Sequence, residues 1–310
     1  MEENRKRHEI INAPYNPVTG LGAVGERKKI SIKDSPIGDM YLPVELIKEN
    51  LFIRRLAKYG FKGYIIRFIK EVEYSEEALN QLWIEFIKYR IIYDFEYWAY
   101  SFIFIKDKVS PKDIPFKLNR AQRRVLNKLE KLRKAGKPIK FILLKARQWG
   151  GSTLVQIYML WIMLVHRRNW NTVICGDVET QSRNVRAMIT KALNKYPSYL
   201  LGETVKFTPF EGSSKNKVIQ NTNCVVSIGS FQKPDTLRSG DISGAHLTEI
   251  GLWRATPGKK PEDLIQSISG SIYDTAYTIL GLESTAKGVG NFFHRTWQQA
   301  VKGKNNLLPI

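Results

Sequence analysis

Apolar residues along this chain recur in two different rhythms. From Val44 to Phe104 they return every three or four positions. Leu51, Ile53, Leu56 and Ala57 form one set, and Leu79, Leu82, Trp83, Phe86, Ile87, Ile91 and Ile92 form another. That spacing lines one face of a helix, so the segment is predicted to be several packed helices. Leu118–Leu132 repeats the helical pattern until Gly136-Lys137-Pro138 stops it. After Pro138 the apolar positions gather into short continuous runs: Ile139–Leu144, Thr172–Cys175, Val225–Ile228, His246–Leu247 and Tyr277–Leu282. Helical segments lie between them. Leu154–Val165 is one, Val178–Tyr196 carries Val185, Met188, Ile189 and Leu193 on one face, and Leu264–Ile272 is shorter. Strands alternating with helices predict an α/β core with a mostly parallel sheet covered on both sides. Thr204–Ser230 is expected to insert an antiparallel piece. No repeat is present.

These patterns divide the chain. Residues 1–40 are polar, basic and broken by Ala13-Pro14, Asn16-Pro17, Gly20, Gly22 and Gly25, and are expected to be a flexible basic arm. Residues 41–110 form a helical subdomain and 111–300 the α/β core, leaving a short linker stub over 301–310.

Composition narrows the function class. Of 310 residues, 43% are hydrophobic and 11% aromatic, enough for a sizeable core. Lys and Arg number 49 against 29 Asp and Glu, a net charge of +20. That excess suits a polyanion, nucleic acid before acidic lipid, although a basic surface also serves solubility. Residues 117–147 hold twelve Lys/Arg and one acid, Glu130. Arg120, Arg123, Arg124, Lys128, Lys131, Arg133, Lys134 and Lys137 crowd one helix and its exit, facing DNA, a neighbouring subunit or solvent. Cys175 and Cys224 sit in apolar runs and are expected to be buried thiols in a reducing compartment. Four His and two Cys give no zinc spacing. No membrane span and no secretory signal core are expected.

The richest stretch is Ile142-Leu143-Leu144-Lys145-Ala146-Arg147-Gln148-Trp149-Gly150-Gly151-Ser152-Thr153. Its order of strand, Gly-containing turn and helix start is that of a phosphate-cradling P-loop. Against G-x-x-x-x-G-K-[ST], Gly150 and Ser152 fall in register, Gly151 stands at the lysine position and Lys145 at the first glycine. Backbone N–H groups around Trp149, Gly150 and Gly151 can form a nest, and the following helix offers its positive end to phosphate. Ser152 is placed to ligate Mg²⁺, and Lys145 or Arg147 must balance the phosphate charge. The same residues would also make an ordinary strand-to-helix turn with a basic rim.

Three further stretches fit an ATPase. In Ser243–Trp253 a short apolar run ends in Thr248-Glu249. Glu249 can polarise an attacking water, while Thr248 offers only a neutral oxygen toward the metal shell. In Thr278–Gly288 an apolar strand ends in Ser284-Thr285, hydroxyls that can sense a γ-phosphate or merely form a turn. In Pro115–Gln122 the Gln122 amide supplies both the donor and the acceptor that an adenine edge needs.

These four features, in this order, resemble the ATPase motor of the large terminase subunit of tailed phages. The matching residues are Gln122, then Arg147-Gln148-Trp149-Gly150, then His246-Leu247-Thr248-Glu249 with Trp253, then Ser284-Thr285 with Gly290-Asn291-Phe292-Phe293. Asp94–Tyr100 resembles the family's lead-in helix. The resemblance covers about residues 90–300. It implies a P-loop NTPase of the additional-strand, catalytic-glutamate type, preceded by a helical N-terminal region. It implies ATP and Mg²⁺ as cofactors and double-stranded DNA as the translocated partner. It further implies a homo-oligomeric ring, a portal protein and a small terminase subunit as partners, and the host cytoplasm as the location.

By position, the resemblance assigns ATP binding to Gln122, Lys145, Arg147, Gln148, Trp149, Gly150, Gly151, Ser152 and Thr153. Metal contact falls to Ser152 and Thr248, and catalysis to Glu249 with Lys145 and Arg147. Ser284 and Thr285 would couple nucleotide state to DNA grip. Arg238 stands where relatives carry an arginine finger acting in trans. Gly151 and Thr248 depart from the family pattern, and no nuclease motif follows, so nuclease activity is not expected. A helicase-like ATPase, or a P-loop protein that binds DNA without hydrolysis, are the other readings of these residues.

Overall fold

The computed structural model describes residues 13–69, 75–107, 109–233, 237 and 241–310. The chain divides into two compact units. One holds the residues up to 123 together with 197–204, and the other holds 124–196 and 205–310.

In the first unit, β1 (Arg27–Ser31) and β2 (Asp39–Pro43) pair antiparallel. The helices α1 (Val44–Glu49), α2 (Leu51–Phe68), α3 (Glu76–Tyr93) and α4 (Phe95–Phe102) follow, then the small ribbon β3 (Phe104–Lys106) and β4 (Asp113–Pro115). A single helical turn over Ser198–Leu201 also belongs here. The expected helical spacing is realised: Ile53, Leu56, Phe61, Ile65, Leu82, Phe86 and Trp98 are all buried. Ser75 caps α3 by accepting from the Ala78 N–H, and Asp94 caps α4 by accepting from the Tyr97 N–H. Both are the short polar acceptors that a helix start requires.

The flexible arm expected over 1–40 is overturned from residue 13 onward, while residues 1–12 lie outside the described residues. Ile32 and Met40 are buried. Arg27 forms a two-pronged pair with Asp94, which also accepts from the buried Arg90. The polar, Gly-rich composition of this segment reflects its turns rather than disorder.

In the second unit, α5 (Arg120–Lys134) leads into a sheet built from β5 (Ile139–Leu144), β6 (Thr172–Gly176), β7 (Phe207–Phe210), β8 (Ser213–Ile219), β9 (Cys224–Ser230), β10 (Gly244–Thr248), β11 (Ile279–Ser284) and β12 (Leu308–Pro309). The first turn of α5 lies in the first unit. The spatial order is β12-β5-β11-β10-β6-β9-β8-β7. Every pairing from β12 to β9 is parallel, and β8 and β7 add antiparallel at the far edge, as expected for Thr204–Ser230. β11 lies between the P-loop strand β5 and the Glu249 strand β10, which makes it the additional strand of the expected fold class.

The sheet's helices are α6 (Gly151–Trp161), α7 (Glu179–Asn194), α8 (Pro261–Gly270) and α9 (Phe292–Val301). Leu280 and Leu282 of β11 pack with Leu247, Leu264, Ile268 and Phe293 on one side. Alternation therefore sends Gly281 and Glu283 to the other side, where the Phe141 ring lies against Gly281. The stub expected over 301–310 is instead part of the sheet, because Leu308 and Pro309 pair with Phe141 and Ile142.

Candidate active site

Four strand ends meet along the carboxyl edge of the sheet: Leu144 of β5, Ser284 of β11, Thr248 of β10 and Gly176 of β6. In a parallel sheet this is where ligands bind. The loop from Lys145 to Gly150 leaves β5 and enters α6. Gly150 sits in the left-handed region at φ 83°, with Gln148 beside it at φ 64°. A glycine meets that requirement at Gly150 without strain. The N-terminus of the eleven-residue α6 then faces the loop with its positive end.

The displaced lysine has a structural explanation. A Cβ on Gly151 would lie 2.9 Å from the Trp149 ring and 3.2 Å from Lys145 Cδ. The Lys145 chain thus fills the space in front of α6 that a side chain at 151 would otherwise take. Its Nζ donates to Glu249 Oε1 at 2.9 Å and lies 3.7 Å from Glu283 Oε1. Arg147 is exposed and has no ion pair among the described residues.

Glu249 follows β10 directly and is held at φ 57°, a left-handed conformation that a non-glycine residue adopts at some cost. The Gly251 N–H just beyond it donates to Ser284 Oγ at 2.9 Å, and the Lys145 N–H donates to the Ser284 carbonyl at 3.0 Å. Ser284 therefore links the P-loop strand to the turn that presents Glu249. Thr285 is buried beside it.

Glu283 joins these residues without being one of the expected site residues. This carboxylate is fully buried on β11. Its Oε1 accepts from the Ser152 hydroxyl and from Thr248 Oγ1, the latter at 2.7 Å. Its Oε2 faces His246 Nε2 at 3.4 Å. Burial pushes this carboxyl up. The His246 ring, the Lys145 ammonium and the Ser152 hydroxyl outweigh burial and hold it at about 2. The signal was present in the chain as an acid inside an otherwise apolar strand, one residue before the two hydroxyls.

Other expected residues are placed less directly. Gln122 begins α5 in the first unit and forms a reciprocal cap: Asn119 Oδ1 accepts from its N–H, and its Oε1 accepts from the Asn119 N–H. Its acceptor is thus already engaged. Thr153 is half-buried on the first turn of α6. Arg238 lies outside the described residues. The basic helix α5 is not a uniform charged face. Arg133 is buried in a two-pronged pair with Glu130, which also accepts from Tyr158. Arg124, Lys128 and Lys131 remain exposed on one stripe.

The turn over Gly251–Arg254 borders a cavity of about 600 Å³, also lined by Asp177, Phe231, Lys259 and Lys287. Phe231 and Trp253 stack on each other in its wall, with centroids 4.6 Å apart. Cys175 and Cys224 are buried thiols, as expected. Among the described residues no helix is long and apolar enough to cross a membrane. No group of three His, Cys, Asp or Glu among them could by itself hold a metal ion.

No family model matches the chain, and no curated protein matches it in sequence. Solved structures do. The HK97 bacteriophage large terminase superposes with a TM-score of 0.54 at 21% identity over 70% of this chain and 42% of its own. A large terminase from a thermophilic bacteriophage, solved in complex with ADP, gives 0.43 at 14% identity over 62% and 44%. The Sulfolobus solfataricus SWI2/SNF2 ATPase core with double-stranded DNA gives 0.38 at 13% over 58% and 34%. The chain spans about two-fifths of the HK97 protein's length. With its additional strand β11 between β5 and β10, this chain has a P-loop NTPase fold, and it shares that fold with a phage large terminase.

Proposed function

We propose that the second unit is an ATP-hydrolysing motor that acts on double-stranded DNA, as in the packaging of a viral genome into a procapsid. The observation that carries this reading is the ion pair of Lys145 with Glu249 across the P-loop, beside Ser152 on the first turn of α6. A phosphate-balancing cation, a water-orienting carboxylate and a metal-binding hydroxyl thus meet at the carboxyl edge of one parallel sheet.

In this reading the loop N–H groups and the α6 terminus cradle the phosphates. Lys145 leaves Glu249 for the phosphate oxygens. Glu249, released from its partner, orients a water in line with the γ-phosphate and takes up its proton. Bound Mg²⁺ would neutralise charge on the phosphate oxygens. Ser152 would hold it, and the Glu283 carboxylate that accepts from the Ser152 hydroxyl supports a hard cation at this point. The cation would arrive with the nucleotide. Ser284, bonded to Gly251 N, would pass the state of the Glu249 turn to β11 and from there to the DNA-gripping surface.

The exposed stripe Arg124, Lys128 and Lys131 and the net charge of +20 support phosphate-backbone contact that ignores sequence, which a translocating motor requires. A homo-oligomeric ring, a portal protein and a small terminase subunit would complete the machine in the host cytoplasm. Arg238 would reach a neighbouring subunit's γ-phosphate. Arg238→Ala mixed with wild type should then depress turnover more than dilution alone, and a strictly proportional loss would remove that role.

The deciding measurement is phosphate release with and without double-stranded DNA. Turnover should rise with DNA and vanish in Ser152→Ala. Absence of ATP hydrolysis under both conditions would favour a P-loop protein that binds DNA without hydrolysis.

A further inference from the structure

We infer that Glu283 is the carboxylate that anchors the nucleotide-borne Mg²⁺, replacing the acid that position 248 lacks. This rests on the ATPase reading and adds to it a residue on a different strand from the one where such an acid is expected.

The sheet register makes the substitution possible. Thr248 and Glu283 are partners across β10 and β11. Neighbouring strands run ~5 Å apart, and paired residues project to the same face. The bond from Thr248 Oγ1 to Glu283 Oε1 at 2.7 Å shows the two side chains meeting on that face. The glutamate side chain is one methylene longer than aspartate, which offsets part of the sideways step between strands. Ser152 donates to the same oxygen, so the acid and the expected metal hydroxyl are already in contact.

Charge accounting supports the assignment. Lys145 lies closer to Glu249, at 2.9 Å, than to Glu283, at 3.7 Å. Once Lys145 turns to phosphate, Glu283 loses its nearest fixed cation and keeps the Ser152 and Thr248 hydroxyls at Oε1 and the His246 ring 3.4 Å from Oε2. A fully buried carboxylate that gives up its lysine partner favours another cation in its place.

The test is nucleotide affinity with Mg²⁺ and with EDTA, measured by titrating ADP into the whole chain, together with Mn²⁺ binding followed by EPR in the presence of ADP. Wild type should gain at least ~10-fold in affinity from the metal, equivalent to ~1.4 kcal/mol. Glu283→Gln should keep the EDTA affinity, lose the metal gain and lose the bound Mn²⁺ signal. Thr248→Asp added to Glu283→Gln should restore both by returning the acid to β10. If Glu283→Gln does not fold, Glu283→Asp retracts the carboxylate without removing its charge and should reduce the gain. A full metal gain in Glu283→Gln or Glu283→Asp overturns the assignment while leaving the ATPase reading in place. Failure of the wild type to bind ADP under either condition removes both.

Discussion

Replacing Glu249 by Gln should move binding and turnover in opposite directions. Lys145 Nζ lies 2.9 Å from Glu249 Oε1, and the two side chains are only 7% and 19% exposed. Water therefore competes weakly for this pair, and the ammonium must abandon it to reach a phosphate. A hydrogen bond to a charged group contributes ~1.5–3 kcal/mol net. Removing the charge of Glu249 removes most of that competing well. Glu283 at 3.7 Å still attracts the ammonium, so the lower end applies, and ATP should bind ~10-fold more tightly. Turnover should fall by ~10²–10⁴, the range for loss of a positioned general base. Equilibrium titration with ATP and phosphate release on the same preparation measure both effects. Weaker binding in Glu249→Gln would show that Lys145 is not drawn from Glu249 to the nucleotide. Turnover within ~10-fold of wild type would remove Glu249 as the base.

Three other substitutions test separate parts of the site and fold. Lys145→Ala should weaken ATP binding by ~10–100-fold, whereas the exposed Arg147→Ala should change it by less than ~5-fold; the reverse order in the same titration would make Arg147 the phosphate cation. Gly151→Ala should leave thermal stability within ~1 kcal/mol, because the Cβ meets movable side-chain ends, yet weaken ATP binding by displacing Lys145. Unchanged affinity would show that Lys145 does not need that space. In the first unit, burial raises Glu96 from 4.5 to about 7, against the opposing pull of Arg27. The folded state then binds more protons than the unfolded state between those values, so ~3 kcal/mol of stability present below pH 4.5 is lost as pH rises past 7. Glu96→Gln should flatten that slope in denaturant unfolding at pH 5 and pH 8, and an identical slope would contradict the burial argument.

Periodicity carried the fold because burial dictates it. The helical stripe of α3 and the continuous apolar runs of β5, β6 and β10 each needed one sheltered face or two. The strand order was legible only through the resemblance, since no local pattern says that β11 lies between β5 and β10. The β1–β2 pair was missed because residues 27–31 open on three consecutive cations and lie largely at the surface, giving no apolar run to read. β12 was missed for its length, two residues whose pairing depends on the sheet already being formed. In the site, Lys145 and Glu249 were legible one at a time, but their pairing joins residues 104 positions apart. Arg133 looked like one cation among eight, and only the fold shows it committed to Glu130.

The two departures from the usual motif follow one physical rule. A P-loop site needs a cation near the phosphates and an acid near the metal, but chemistry constrains where the charged atoms lie, not which backbone position carries them. A lysine has four methylenes of reach, so moving it from the start of α6 to the end of β5 costs little if the vacated position loses its side chain. Gly151 meets that condition, and the close approach of Trp149 and Lys145 Cδ shows the space in use. An acid has less reach, so its move is limited to the adjacent strand at the same register level, where Glu283 lies opposite Thr248. The hydroxyl left at 248 then becomes a donor to the relocated carboxylate, which keeps the exchange from stranding a buried polar group. Each change is therefore tied to a partner. Returning lysine to position 151 without removing Lys145 should crowd the loop, and returning aspartate to position 248 without neutralising Glu283 should set two buried acids side by side.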